Sequence, residues 1–144
     1  MIRILRTEDL DVAVDIWLEA SIQAHNFISP DFWLSQKQNM RDLYLPNSES
    51  WVYEDDGQIL GFISYYEGTV PAVFVDTKSQ SKGVGTQLLE KLKGKYNKLT
   101  LTVYSENLKS HQFYIRQGFV DVGKCMCEHT GREQFEMCWE SEAL

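Results

Sequence analysis

The chain reads as an α/β protein of the α+β kind, a mixed sheet with helices packed on it, and three observations predict this. Two antiparallel hairpins are signalled between Trp51 and Val75. The strand Val73-Phe74-Val75 then passes through a polar turn into a helix at Gly83-Val84-Gly85. Apolar residues at helical spacing precede and follow this block. Taken in order, the elements run β-α-α-β-β-β-α-β-α-β-β.

Ile2 to Leu5 alternates with Arg3 and suits an edge strand. Thr7 is placed as an N-cap, with Glu8 and Asp9 in the first helical turn. Leu10, Ala13, Val14, Trp17 and Leu18 then mark one face of an amphipathic helix. It gives way around His25-Asn26-Phe27-Ile28, and Ser29-Pro30 starts a second helix running to about Leu43. Asp55-Asp56-Gly57 joins two strands, and Gly68 turns into a third over Val70 to Val75. After the glycine turn, Val84, Leu88, Leu89 and Leu92 form a helix ending near Gly94 to Asn97. Leu99, Leu101 and Val103 form a strand, and Asn107 caps a short helix from Leu108 to Arg116, stopped at Gly118. Two closing strands surround a turn at Thr130-Gly131-Arg132.

With 144 residues, no repeats and no linker, one domain over 1–144 is expected. The net charge of −7 argues against nucleic acid, since phosphate neutralisation needs surplus Lys and Arg. Six lysines against Asp76 and Glu90 between residues 76 and 100 form a basic stretch that suits a small phosphorylated ligand. No apolar run approaches a membrane span and the N-terminus lacks a signal-peptide core, so a cytoplasmic location without membrane association is expected. Three cysteines fit free thiols in a reducing compartment. Cys125, Cys127 and His129 share a strand face, but their spacing matches no closed zinc site, and no metal is expected.

The strand–turn–helix at 73–92 builds an anion cradle. N–H groups opening a helix lack intrahelical partners, and glycines let a phosphate approach the main chain. The stretch alone is also compatible with a plain strand-to-helix turn. It has no third glycine for a dinucleotide fingerprint and no Lys-Ser/Thr for a Walker A loop. Asn107 and Tyr114, seven residues apart, project from one face of the following helix.

Gln80-Ser81-Lys82-Gly83-Val84-Gly85 resembles the Gln/Arg-x-x-Gly-x-Gly/Ala signature of the GCN5-related N-acetyltransferases, the GNAT superfamily. Asn107 and Phe113-Tyr114-x-x-x-Gly118-Phe119 resemble its second half. The resemblance covers nearly the whole chain. Small bacterial protein lysine acetyltransferases look nearest, partly through Ala24-His25-Asn26-Phe27-Ile28. It implies a mostly antiparallel sheet with helices on both faces, and acetyl-CoA as donor without a metal.

It further implies site residues. Val73, Phe74 and Val75 would hold the pantetheine arm through main-chain groups, one N–H near Phe74 or Val75 holding the acetyl oxygen. The pyrophosphate would lie on Ser81, Lys82, Gly83, Val84, Gly85 and Thr86, with Lys82 adding charge and Asn107 binding through its amide. Tyr114 would protonate the departing thiolate. Some relatives carry a glutamate base where this chain has Thr102; Glu67 and His25 remain as candidate bases, each also readable as a surface carboxylate or a loop-packing histidine. His25, Phe27, Trp33 and Tyr66 are candidates for the acceptor pocket, and also for plain packing. Tyr104 is a packing or cleft-lining residue, and His111 is expected to be exposed. The acceptor implied is a primary amine, most closely a protein lysine, with a peptide N-terminus or a small amine as alternative. A non-catalytic acyl-CoA sensor is the reading from another class. Either a monomer or a homodimer is compatible.

Overall fold

The computed structural model describes residues 1–141; residues 142–144, the end of the expected domain, lie outside the described residues. Strand β1 (Ile2–Ile4) leads through a 3-10 turn, Thr7–Asp9, into helices α1 (Leu10–Ala24) and α2 (Pro30–Asn39). Ser29 caps α2 through its hydroxyl, with Pro30 at the first helical position, as its sequence signal demands. A π-turn, Met40–Tyr44, extends α2 to the predicted end. Then follow β2 (Glu49–Asp55), β3 (Gln58–Tyr66), β4 (Thr69–Val75), α3 (Val84–Lys93), β5 (Lys98–Tyr104), α4 (Leu108–Arg116), β6 (Val120–Met126) and β7 (Glu133–Glu140). The order is the one the sequence predicts.

The strands form one sheet, β1-β2-β3-β4-β5-β7-β6, antiparallel at every pairing except β4 with β5. Two tight turns build its first half. Asp56 and Gly57 both have positive φ (51° and 78°), as do Glu67 and Gly68 (47° and 88°). That is the requirement of a type I′ hairpin, whose twist matches its strands.

Alternation along the central strands divides the core between the two faces. Phe62 and Ala72 pack with Val14, Trp17 and Trp33 of α1 and α2. Ile63 and Leu101 pack with Leu88, Leu89 and Leu92 of α3. Helices therefore cover both faces.

One local expectation needs correction. Thr7 does not cap α1. Instead the chain makes a 3-10 turn whose Arg6 N–H donates to the buried Asp9 carboxylate at 2.7 Å. Arg3 also donates to Asp9, at 2.7 Å, and to Glu54 on β2, and so ties β1 to the start of α1. A buried carboxylate gains more from a guanidinium and an N–H than the threonine hydroxyl could supply there.

Candidate active site

β4 and β5 touch only at their beginnings. Their parallel pairing is the single register Thr69↔Thr100, supported by the Thr100 N–H donating to the Gly68 carbonyl at 2.9 Å. Beyond it the strands diverge. An irregularity in the β3–β4 register between Ser64 and Tyr66 bends this edge, and Pro71 has no N–H to give a neighbour. The resulting gap opens into a cleft of about 1570 Å³. Val73, Phe74 and Val75 line one wall, and Thr102, Val103 and Tyr104 line the other.

The cradle closes one end of this cleft. The Gln80 side-chain amide donates to the Val75 carbonyl at 3.3 Å and pins the loop to the strand end. Ser81 and Gly83 take left-handed backbone angles, φ 66° and 84°. Among the described residues no side chain caps α3, and no acid occupies its first turn. The N–H groups of Val84, Gly85 and Thr86 therefore have no acceptor within the helix, and all three residues line the cleft.

The two glycines serve different ends. A Cβ on Gly83 would meet nothing within 4 Å, so its role is the positive φ. A Cβ on Gly85 would come within 3.2 Å of the Phe113 ring, so its bareness lets α4 approach α3. The Gln117 amide donates to the Thr86 hydroxyl at 3.0 Å and fastens the same pair of helices.

The basic stretch is mostly committed elsewhere. Lys91 and Lys95 lie over the Trp51 ring, Lys93 donates to the Gln117 carbonyl, and Lys98 faces Glu140. Lys82 is exposed beside the loop and is not part of the cleft lining. The cationic residues that do line the cleft, among those described, are Lys109 and Arg116 of α4.

Tyr114 stands two turns along α4 and lines the cleft. Its ring meets Phe113 and Phe119 edge-on, with centroids 5.3 and 5.7 Å away. Burial raises its phenol above the usual value. No described residue hydrogen-bonds its hydroxyl, which leaves the proton available to a ligand.

Asn107 is buried at the N-cap of α4, and both ends of its amide are engaged. Its oxygen accepts from the Ser110 N–H (3.3 Å), and its nitrogen faces His25 Nε2 (3.2 Å). Part of the amide expected to hold the donor thus serves the fold.

Neither expected base faces the cleft as a base. Glu67 occupies the left-handed turn position between β3 and β4, exposed and outside the lining. A turn residue at φ 47° points its carboxylate at solvent. His25 lines the cleft but is only 7% exposed, with Nδ1 against the Ser21 carbonyl at 2.9 Å and Nε2 against Asn107. Burial lowers its basicity. Among the described residues, the cleft lining contains no Asp or Glu.

Trp33 stacks on His25 (centroids 5.1 Å apart) and keeps a buried indole N–H without a partner among the described residues. Phe27 packs edge-on against His25 and Tyr104 but does not line the cleft. Tyr66 lines it from a half-exposed position. His111 is not free: it pairs with Asp121 at 2.8 Å and stacks on Phe135.

Cys127, which the sequence marked only as a free thiol on a strand face, lines the cleft. The Tyr104 hydroxyl donates to its Sγ at 3.3 Å. Burial pushes the Cys127 thiol up. Hydrogen bonds from the Thr130 side chain, from Tyr104 and from the Thr130 and His129 main chain outweigh this and leave it below the usual thiol value. Burial and the same contact push the Tyr104 phenol up to about 12. The Cys-x-Cys alternation was the available signal, and it pointed equally to packing. Among the described residues, no three His, Cys, Asp or Glu gather to hold a metal, and no helix is long and apolar enough to cross a membrane.

A sheet that parts between two parallel strands, with a bare helix start at one end of the gap and a half-buried phenol within it, has the outline that the sequence resemblance implies for an acyl-CoA site. Residues 19–141 match the model of the acetyltransferase (GNAT) domain, and the chain belongs to that family of N-acetyltransferases, with acetyl-CoA as the acetyl donor. It is 34% identical over 140 residues to the peptidyl-lysine N-acetyltransferase YiaC of Escherichia coli K12, covering 96% of each chain. The solution structure of apo YjaB from Escherichia coli superposes with a TM-score of 0.86 at 24% identity, covering 98% of this chain and 97% of that one. The PaiA N-acetyltransferase of Thermoplasma acidophilum, solved with coenzyme A, gives 0.80 at 19%, covering 97% and 98%. These two likenesses speak to the fold. The open strand edges, the uncapped α3 start and the left-handed Ser81 and Gly83 fit the donor's amides and phosphates.

Proposed function

We propose that the chain acetylates lysine side chains of proteins, by direct attack of the amine on acetyl-CoA held in a ternary complex. The observation that carries the lysine reading is the 34% identity to YiaC, a peptidyl-lysine N-acetyltransferase, across 96% of both chains. In this reading the main chain of Val73 to Val75 aligns the pantetheine arm, and one N–H near Phe74 or Val75 polarises the acetyl carbonyl. The N–H groups of residues 84–86 receive the pyrophosphate.

Tyr114 supplies the proton that the departing thiolate takes. Its raised phenol keeps that proton throughout the physiological range. With no carboxylate among the described lining residues, the attacking ammonium loses its proton to solvent at the open cleft before it reaches the carbonyl. Trp33 and Tyr66 flank the path of the lysine stem, apolar surfaces suited to a methylene chain.

Incubation with acetyl-CoA and a panel of lysine peptides, N-terminal peptides, polyamines and free amino acids tests the reading. Thiol release with blocked-N-terminus lysine peptides is expected. Release with polyamines or amino acids alone contradicts the acceptor, and release with none of them contradicts the enzyme.

A further inference from the structure

The side chain of His25 and that of Asn107 meet across 82 positions of sequence, and simple donor–acceptor logic fixes the state of both. The Ser110 N–H can only donate, so the Asn107 atom 3.3 Å from it is the amide oxygen. The atom 3.2 Å from His25 Nε2 is then the amide nitrogen, which can only donate. Nε2 must therefore carry its lone pair. On the other side of the ring, the Ser21 carbonyl can only accept, so Nδ1 carries the proton. The imidazole is held neutral in its Nδ1–H form.

Packing leaves the ring no freedom to turn. It lies 28° from parallel to Trp33 of α2, and meets Tyr104 of β5 and Phe27 edge-on at 5.2 and 5.7 Å. The titratable groups around it are Tyr104, whose hydroxyl is given to Cys127 Sγ, and Arg132, which donates to the Phe27 carbonyl and pairs with Glu106. α1 and α2 present Ser21 and Trp33 to it, and among the described residues no carboxylate contacts the ring.

We infer that His25 is a positioning residue of the transfer reaction: its Nε2 lone pair holds Asn107 so that Asn107 caps α4, and α4 in turn sets Tyr114 in the cleft. Protonation of Nε2 would place two donors face to face, release Asn107 from the cap and loosen the first turn of α4. The role rests on the reading of Tyr114 as proton donor to the thiolate. The His25 state itself does not. Burial lowers the ring's basicity, so release falls below the ordinary histidine range near 6.5.

Two measurements test this. Nitrogen-15 NMR of histidine-labelled protein reads the His25 ring directly, without turnover. A neutral Nδ1–H signature is expected at pH 8, giving way on acidification together with the Ser110 amide resonance. Steady-state kinetics across pH then compare the wild type with His25→Leu and His25→Gln, whose Oε1 can accept from Asn107. His25→Leu should lower kcat about 10- to 100-fold through misplacement of α4, with a smaller change in the KM for acetyl-CoA. His25→Gln should restore most of that loss and remove the acid limb. An Nε2–H signature, or the same kcat and the same acid limb in all three proteins, overturns the inference. If His25→Leu does not fold, the NMR signature and the His25→Gln profile decide it. If no amine is acetylated, the lysine reading fails while the NMR signature still decides the His25 state.

Discussion

Tyr114 reaches the cleft because three local facts agree. Asn107 starts α4, seven residues bring Tyr114 round to the same face, and Gly85 lets the helix sit close against α3. A half-buried phenol that no described residue hydrogen-bonds retains a proton for whatever lies in the cleft. Tyr114→Phe keeps the ring packing against Phe113 and Phe119 and removes only that proton. The expected outcome is a kcat lower by roughly 10²- to 10⁴-fold with CoA affinity unchanged, checked by steady-state kinetics and calorimetric titration. Because burial raises the phenol, wild-type activity should show no alkaline loss from Tyr114 near the usual tyrosine value of about 10. The spacing of Asn107 and Tyr114 was legible because both lie on one element. The role of His25 was not, since its partner is 82 residues away and pattern reading sees only neighbours along a strand or helix.

At the scale of elements, the hairpins and helices were legible because each carries its own chemistry: Asp56-Gly57 for a tight turn, Ser29-Pro30 for a helix start, Gly118 at φ 94° for a helix end. The reading failed where a distant group competed with a local one. Thr7 looked like a cap, yet Arg3 and Arg6 recruit Asp9 into a buried network with Glu54 and wind the chain into a 3-10 turn. The lysines between residues 76 and 100 looked like a phosphate patch, yet Trp51, Gln117 and Glu140 hold most of them. Asp9→Ala leaves the Arg3 guanidinium with Glu54 alone and the Arg6 N–H without its acceptor. A loss of about 2 kcal/mol in denaturant unfolding at pH 7 is expected. The hydrogen bond from Arg3 leads in holding the Asp9 carboxyl below its usual value, so its contribution is complete above about pH 3.9 and is lost as pH falls through the folded value. The gap between wild type and variant should therefore close on acidification.

For the whole molecule, the parting of β4 from β5 matters most, and only the family resemblance foretold it. Each strand alone reads as an ordinary apolar alternation, and nothing in either announces that their pairing stops after Thr69 and Thr100. The same holds for the absence of Asp and Glu, among the described residues, from the cleft lining in a chain of net charge −7, because only folding decides which carboxylates reach the cleft. That distribution favours a direct attack by an amine already neutral. It also leaves Cys127, with its lowered thiol, as the cleft residue able to compete by taking the acetyl group first. Initial rates with acetyl-CoA and a lysine peptide varied together separate these two routes. Direct transfer predicts double-reciprocal lines that intersect, and no acetylated enzyme when acetyl-CoA is supplied alone. Parallel lines, with an acetyl group trapped on the chain, would contradict it.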